Sequence, residues 1–230
     1  MNFFNKRTIA LIGAVVISAI AQPTAVFPIS VQVPSASVVA QTKAEDFLIQ
    51  GEEKYEKGDY QGAIATYTQA IVLNPNYAEA YKGRGNARYR LGDPKGAVAD
   101  YNEALRINPN FAEAYTYRGN ARDDLGDSQG ALADYDRALQ INPNFAAAYL
   151  NRGVTRYRLG DTQSALADYT AALRIEPNLA GAYLNRGVTR AKGGDQPGAM
   201  QDFQKAADLF QQQGDKDNYQ KAINNLRELQ

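Results

Sequence analysis

The sequence predicts an all-α solenoid: helix-turn-helix units stacked in a row and closed by one capping helix. Three observations predict it. First, the stretch 78–110, AEAYKGRGNARYRLGDPKGAVADYNEALRINPN, recurs at a shift of 34 residues without insertion. Tyr81 becomes Tyr115, Tyr149 and Tyr183, Gly85 becomes Gly119, Gly153 and Gly187, and Ala97 becomes Ala131, Ala165 and Ala199. A unit of this size cannot bury its apolar face alone and must stack on its neighbours. Second, apolar residues inside the unit fall at helical rather than alternating spacing, as Ala80, Tyr81, Ala87 and Leu91 do. Third, a Gly-Asp pair divides every unit in two, at Gly58-Asp59, Gly92-Asp93, Gly126-Asp127, Gly160-Asp161 and Gly194-Asp195.

Each element of the unit has a local cause. The first helix spans 78–91 and ends where Gly92 supplies a left-handed residue. Asp93 offers a carboxylate to cap the second helix, and Pro94 sits at its first position, where a missing N–H costs nothing. Asn108-Pro109 then stops that helix near Ile107. Gly85 and Ala97 are small, which predicts a close approach of the two helix backbones. On this grid the units occupy 44–77, 78–111, 112–145, 146–179 and 180–213.

These residues resemble the tetratricopeptide repeat (TPR) family, whose pattern places a large aromatic, Gly, Ala, an aromatic and Pro at fixed positions. Unit two carries them as Tyr81, Gly85, Ala97, Tyr101 and Pro109. The resemblance covers roughly 44–210 and implies a right-handed superhelix that binds a protein or peptide along a concave groove, without catalysis. The chain departs from the family at Arg84, Arg118, Arg152 and Arg186, where Leu is usual, and at Arg88, Arg122, Arg156 and Arg190, where Tyr is usual.

The first of these arginine series has a counterpart. Asp100, Asp134, Asp168 and Asp202 recur on the second helix of the same units, while unit one, with Gln50, Lys54 and Thr66, lacks both Arg and Asp. The matched presence and absence predicts a ladder of Arg–Asp pairs, Arg84 with Asp100, Arg118 with Asp134, Arg152 with Asp168 and Arg186 with Asp202, tying first helix to second.

Positions that vary between units are the candidate binding surface. Asn86, Asn120, Asn151 and Asn185 resemble the asparagine ladder of some TPR superhelices, in which the amides bond the backbone of an extended peptide. An amide offers both donor and acceptor, so it can pair with any peptide group. Lys82 and Tyr117 flank them in the first half. The second half is apolar, with Leu150 and Val154, then Leu184 and Val188, at spacings that share a helix face, and Tyr157 nearby. The expectation is a groove with its strongest contact in that apolar half. The basic clamp of chaperone-binding TPR domains is mostly missing, because Tyr117, Ala147 and Asn151 stand where Asn, Lys and Arg would be. An acidic C-terminal tail of that type is therefore disfavoured as a ligand.

Composition narrows the chemistry. Formal charge is zero, from 25 basic and 25 acidic residues, and 44% of residues are apolar. That balance gives no sign of a nucleic-acid partner. There is no Cys and no His, which removes disulfides, thiolate nucleophiles and the commonest general base and metal ligand. Asp123-Asp124 are sequence neighbours that do not share a helix face. Gly83-Arg84-Gly85 lacks the third glycine and preceding strand of a nucleotide loop. No enzyme, metal or cofactor is expected.

The ends read differently. Lys6 and Arg7 precede the uncharged run 8–21, TIALIGAVVISAIA, which fits residues 1–21 as a secretory signal peptide or an N-terminal membrane anchor. Ala21 or Ala40 would close the cleavage site. Export to a periplasm, lumen or medium is the expectation, with anchoring by 8–21 the alternative and the only membrane contact. Residues 22–43 hold Pro23, Pro28 and Pro34 and no acidic residue, the composition of a disordered linker. At the other end, Tyr219, Ala222, Ile223, Leu226 and Leu229 form one stripe in 214–230, as a capping helix needs. The style of these repeats resembles exported bacterial, cyanobacterial-type TPR proteins, which implies a role in assembling a membrane or envelope complex. A membrane-tethered spacer or self-associating adaptor is the alternative. Partner identity and oligomeric state are left open.

Overall fold

The computed structural model of the chain describes residues 36–229, and these form eleven helices. The first helices of the five units are α1 (Ala36–Glu56), α3 (Ala78–Arg90), α5 (Ala112–Asp124), α7 (Ala146–Arg158) and α9 (Ala180–Lys192). The second helices are α2 (Tyr60–Leu73), α4 (Pro94–Ile107), α6 (Ser128–Ile141), α8 (Thr162–Ile175) and α10 (Gln196–Gln213), and α11 (Lys216–Glu228) follows. Each first helix packs on its own second helix and on the neighbouring first helices, and α3, α5, α7 and α9 pack on the preceding second helix as well. The result is a two-layer solenoid with α1, α3, α5, α7 and α9 as one continuous layer.

The turns close as their residues dictate. Gly92 takes φ +79°, and the Asp93 amide donates back to the Arg88 carbonyl at 3.0 Å, satisfying a helix-end acceptor that would otherwise be orphaned. The Asp93 carboxylate then accepts from the Gly96 amide at 2.8 Å. Asp59, Asp127, Asp161 and Asp195 cap α2, α6, α8 and α10 in the same way. At the unit junctions Asn74, Asn108 and Asn142 turn the chain by accepting from the amide two residues on, at 3.0–3.1 Å.

The core is made of alanines around one ring per unit. Tyr101 is 1% exposed and Tyr67, Tyr135, Tyr169 and Phe203 repeat it. The reason for Gly85 is that ring rather than a neighbouring backbone: a Cβ there would lie 2.7 Å from Tyr101 Cε1. Gly119, Gly153 and Gly187 make the same room for Tyr135, Tyr169 and Phe203. At the far end α10 runs to Gln213, and Gly214 at φ +74° terminates it. Tyr219, Ala222 and Ile223 of α11 then cover Ala206, Ala207, Leu209 and Phe210.

One boundary differs from the sequence reading. Helix α1 begins at Ala36, so 36–43 is helical rather than linker. No proline follows Pro34 in this stretch, nothing interrupts propagation from the first unit, and Gln41 is tied down by a hydrogen bond from the Asn74 side chain at 2.9 Å. The leader at 1–21 and the rest of the linker lie outside the described residues.

Candidate functional site

The inner layer is stiffened by charged clamps. In unit two the Arg84 Nη2 and Nε groups donate to Asp100 at 2.7 and 3.0 Å. Arg88 Nη1 lies 2.9 Å from the same oxygen, Oδ2, that Arg84 Nε contacts, and Asp100 is only 2% exposed. Units three to five repeat the pattern: Arg118 and Arg122 on Asp134, Arg152 and Arg156 on Asp168, Arg186 and Arg190 on Asp202, all at 2.6–2.8 Å. The first guanidinium of each pair also lies over the aromatic ring one turn earlier, 5.4 Å from the Tyr81 centroid for Arg84, and reaches the preceding unit. Arg84 donates to Thr68, Arg118 to Asn102, Arg152 to Asp136 and Arg186 to Thr170. Burial works against the charge of Arg152, yet Asp168 and Asp136 hold its pKa above the ordinary arginine value.

The sequence reading had the first arginine of each clamp and passed over the second. The available signal was that Arg88, Arg122, Arg156 and Arg190 lie four residues, one helical turn, beyond the first set. Unit one substitutes a single hydrogen bond without a carboxylate, Lys54 Nζ donating to Thr66 Oγ1 at 2.8 Å.

This frame presents a groove along α1, α3, α5 and α7. Three adjoining cavities occupy it. The first, about 330 Å³, is lined by Glu52, Tyr55, Glu56, Tyr67, Lys82, Gly83 and Asn86. The next, about 370 Å³, shares Tyr55 and Asn86 and adds Tyr89, Arg90, Tyr101, Tyr117 and Asn120. A third, about 240 Å³, shares Tyr89 and Asn120 and reaches Asp123, Asp124, Tyr135, Asn151, Val154 and Arg158.

Much of this lining is held in place by internal bonds. Tyr101 donates to Asn86 at 2.7 Å and Tyr135 to Asn120 at 2.8 Å. Asn151 donates to Asn120 at 2.9 Å. Tyr89 donates to Asp124, and Arg90 Nε to the Tyr55 hydroxyl at 3.2 Å. Asp123 is saturated by Ser128, Thr155 and Arg158. Burial, with the bond to Asp124 adding, pushes Tyr89 up to about 12, and burial raises Tyr117 as well. Tyr89 and Tyr117 therefore keep their hydroxyl protons at neutral pH. Among the described residues no group of His, Cys, Asp or Glu could hold a metal ion.

The structure brings Lys82, Asn86, Tyr117, Asn120, Asn151 and Val154 together in the groove. It does not place the remaining candidates in these cavities. Leu150 packs on Ala146, Ala172, Leu173 and Ala182, and Leu184 on the last core cluster with Phe210. The expected apolar strip is therefore largely part of the seam between units. Four residues advance a helix by about 40° beyond a full turn, enough to carry Leu150 to the seam while Val154 stays at the groove edge. Val188 and Asn185 are half-buried at the matching positions of unit five, and Tyr157 is covered by Lys192, whose Nζ lies 4.9 Å from the ring centroid. Sequence reasoning missed Tyr55 and Tyr89, which form the groove walls and lie on one repeat grid.

Fold and groove together define a helical-repeat scaffold that offers a recognition surface. The chain belongs to the tetratricopeptide repeat family. Models described as "TPR repeat" match residues 51–92 and 119–160, and models described as "Tetratricopeptide repeat" match 78–111, 146–179 and 100–133. No curated protein sequence matches the chain. Among solved structures, the crystal structure of MamA is 27% identical over 71% of this chain and 96% of its own, with a TM-score of 0.63. That of YrrB, described as a TPR protein with an unusual peptide-binding site, is 25% identical over 83% and 98%, with a TM-score of 0.60. The first TPR of Spaghetti (RPAP3) bound to the HSP90 peptide SRMEEVD is 29% identical over 52% and 95%, with a TM-score of 0.51. Among the described residues no helix is long and apolar enough to cross a membrane.

Proposed function

We propose that this protein is a non-catalytic scaffold that binds an extended segment of a partner protein along the groove of α1, α3, α5 and α7. The observation that carries the reading is the run of three adjoining cavities lined by tyrosines and side-chain amides. Such a lining suits a peptide backbone: phenols supply flat apolar area at low entropic cost, and amides pair with peptide groups of any sequence. Peptide binding by YrrB and by the RPAP3 domain supports the same use of the fold. Neither nucleic acid nor a cofactor is needed to account for the lining. The leader pattern around Lys6 and Arg7 supports export, with assembly of an envelope complex as the setting; N-terminal sequencing of the protein recovered from its host would show whether and where the leader is removed.

The test is affinity capture with three full-length baits. They are the parent, Tyr89→Ser/Arg90→Glu in the groove, and Ala167→Glu on the exposed side of α8. Circular dichroism first shows that all three are equally folded. A partner held by the parent and by Ala167→Glu but lost from the groove variant is the expected result. A partner held by the groove variant and lost from Ala167→Glu would move the site to the outer layer.

A further inference from the structure

The tyrosine–asparagine bonding along the first helices is absent on either side of units two and three, where Glu52 and Val154 stand in place of the asparagine. In units two and three the buried tyrosine donates to an asparagine on the first helix, Tyr101 to Asn86 and Tyr135 to Asn120. The matching pair in unit one is Tyr67 and Glu52. Tyr67 is 2% exposed and borders the first cavity; no protein group bonds its hydroxyl, which reaches the solvent of that cavity. Gly83 makes room for the Tyr67 ring at the cavity wall. A Cβ on Gly83 would lie 2.6 Å from Tyr67 Cζ, and later units carry Tyr117, Asn151 and Asn185 at that position.

Around this hydroxyl stand Glu52 and Glu56, one turn apart on α1, with the Tyr55 ring between them in sequence. Like charges at this spacing repel each other on a helix, and neither carboxylate has an ion-pair partner among the described residues. The neighbouring cations are engaged elsewhere. Lys54 donates to Thr66, Lys57 pairs with Glu53, and Arg90 donates to Tyr55. Lys82, the one cation lining the cavity, lies 5.8 Å from the Phe111 ring centroid, toward the next unit. Burial and then the Glu52 and Glu56 charges push the Tyr67 hydroxyl above its ordinary range, so it remains protonated.

We propose that this end of the groove is a receptor for a basic side chain, an arginine or lysine of the bound segment. Its cationic head lies between Glu52 and Glu56, its stem runs across the Tyr55 ring, and the Tyr67 hydroxyl bonds the adjoining peptide group. Two carboxylates beside aromatic rings match a long cation and repel an acidic side chain. The inference rests on the peptide-binding reading above and specifies its ligand.

The probe is a phage-displayed library of random linear peptides selected against the full chain and against its Glu52→Gln/Glu56→Gln variant. Peptides selected by the parent should share an arginine or lysine at one position. Replacing that residue by norleucine should weaken parent binding about tenfold, from the loss of charge pairing and cation–π contact. In the Gln variant the same replacement should change binding less than about twofold. Tyr67→Phe, which removes only the unbonded hydroxyl, should weaken the peptide about threefold while leaving the melting curve unmoved. Selected peptides without a shared basic residue, or a norleucine effect equal in parent and variant, would overturn this inference and leave the groove reading standing. Failure to select any peptide that competes for the groove would overturn both.

Discussion

Unit one and unit two share a fold and differ in how their polar groups are satisfied. In unit two Asp100 is gripped by Arg84 and Arg88, and Tyr101 is bonded to Asn86. In unit one the clamp becomes a single Lys54–Thr66 hydrogen bond, Asn becomes Glu52, and the Tyr67 hydroxyl is left over. The same backbone can thus be closed internally or left with groups to satisfy from outside. A hydroxyl that reaches solvent in a cavity keeps its bonding capacity for water, or for a ligand group that displaces the water. The interior units are built for stiffness, and the first unit holds its chemistry open.

The largest expected effect tests the stiff side of this comparison. Asp134→Ala strands Arg118 and Arg122, and breaking a buried pair of this kind costs about 3–5 kcal/mol. Asp136 is a half-exposed partner of Arg152, so Asp136→Ala should cost about 1 kcal/mol or less. Thermal melts of both proteins measure the difference, and equal losses would mean that the clamps carry no special weight. A smaller effect separates the two tyrosines. Tyr101→Phe leaves the Asn86 carbonyl without its donor and should cost about 1 kcal/mol, whereas Tyr67→Phe removes a hydroxyl that bonds no protein group and should leave denaturant unfolding unchanged. A loss at Tyr67 as large as that at Tyr101 would show that unit one is satisfied internally after all.

The contrast also shows what a sequence can and cannot disclose. Helix bounds, turns and caps were legible because each has a local cause: Gly92 for the left-handed turn, Asp93 for the cap, Pro94 for the first position. The clamp was legible in half, through the matched absence of Arg and Asp in unit one, and Arg88 was missed because a departure from a family pattern says nothing of its new partner. The start of α1 was hidden by composition, since its anchor is a side chain 33 residues away. The groove was the hardest to read. A first helix in this fold touches neighbours on several sides, leaving a narrow free stripe, and helical spacing alone cannot say whether Leu150 or Tyr89 lies on it.

The smallest effect is the sharpest test of why unit one differs. Gln50→Arg/Thr66→Asp would install the missing pair on the grid positions of Arg84 and Asp100. Phe47 stands where Tyr81 does and could support the new guanidinium, and Lys54 could serve as the second cation. No second helix precedes α1 among the described residues to accept from the remaining Nη1, as Thr68 does for Arg84. The new pair replaces a hydrogen bond that already engages Lys54, and a buried ion pair adds little net stability, so the gain should fall between zero and about 1 kcal/mol, read as slower hydrogen exchange in α1 and α2. A gain of several kcal/mol would mean that unit one gives up stability to keep its polar groups open, which is stronger than this comparison requires. A loss would mean that the Lys54–Thr66 link is itself the favoured solution at the end of the stack, and that the clamp works only where a preceding helix completes it.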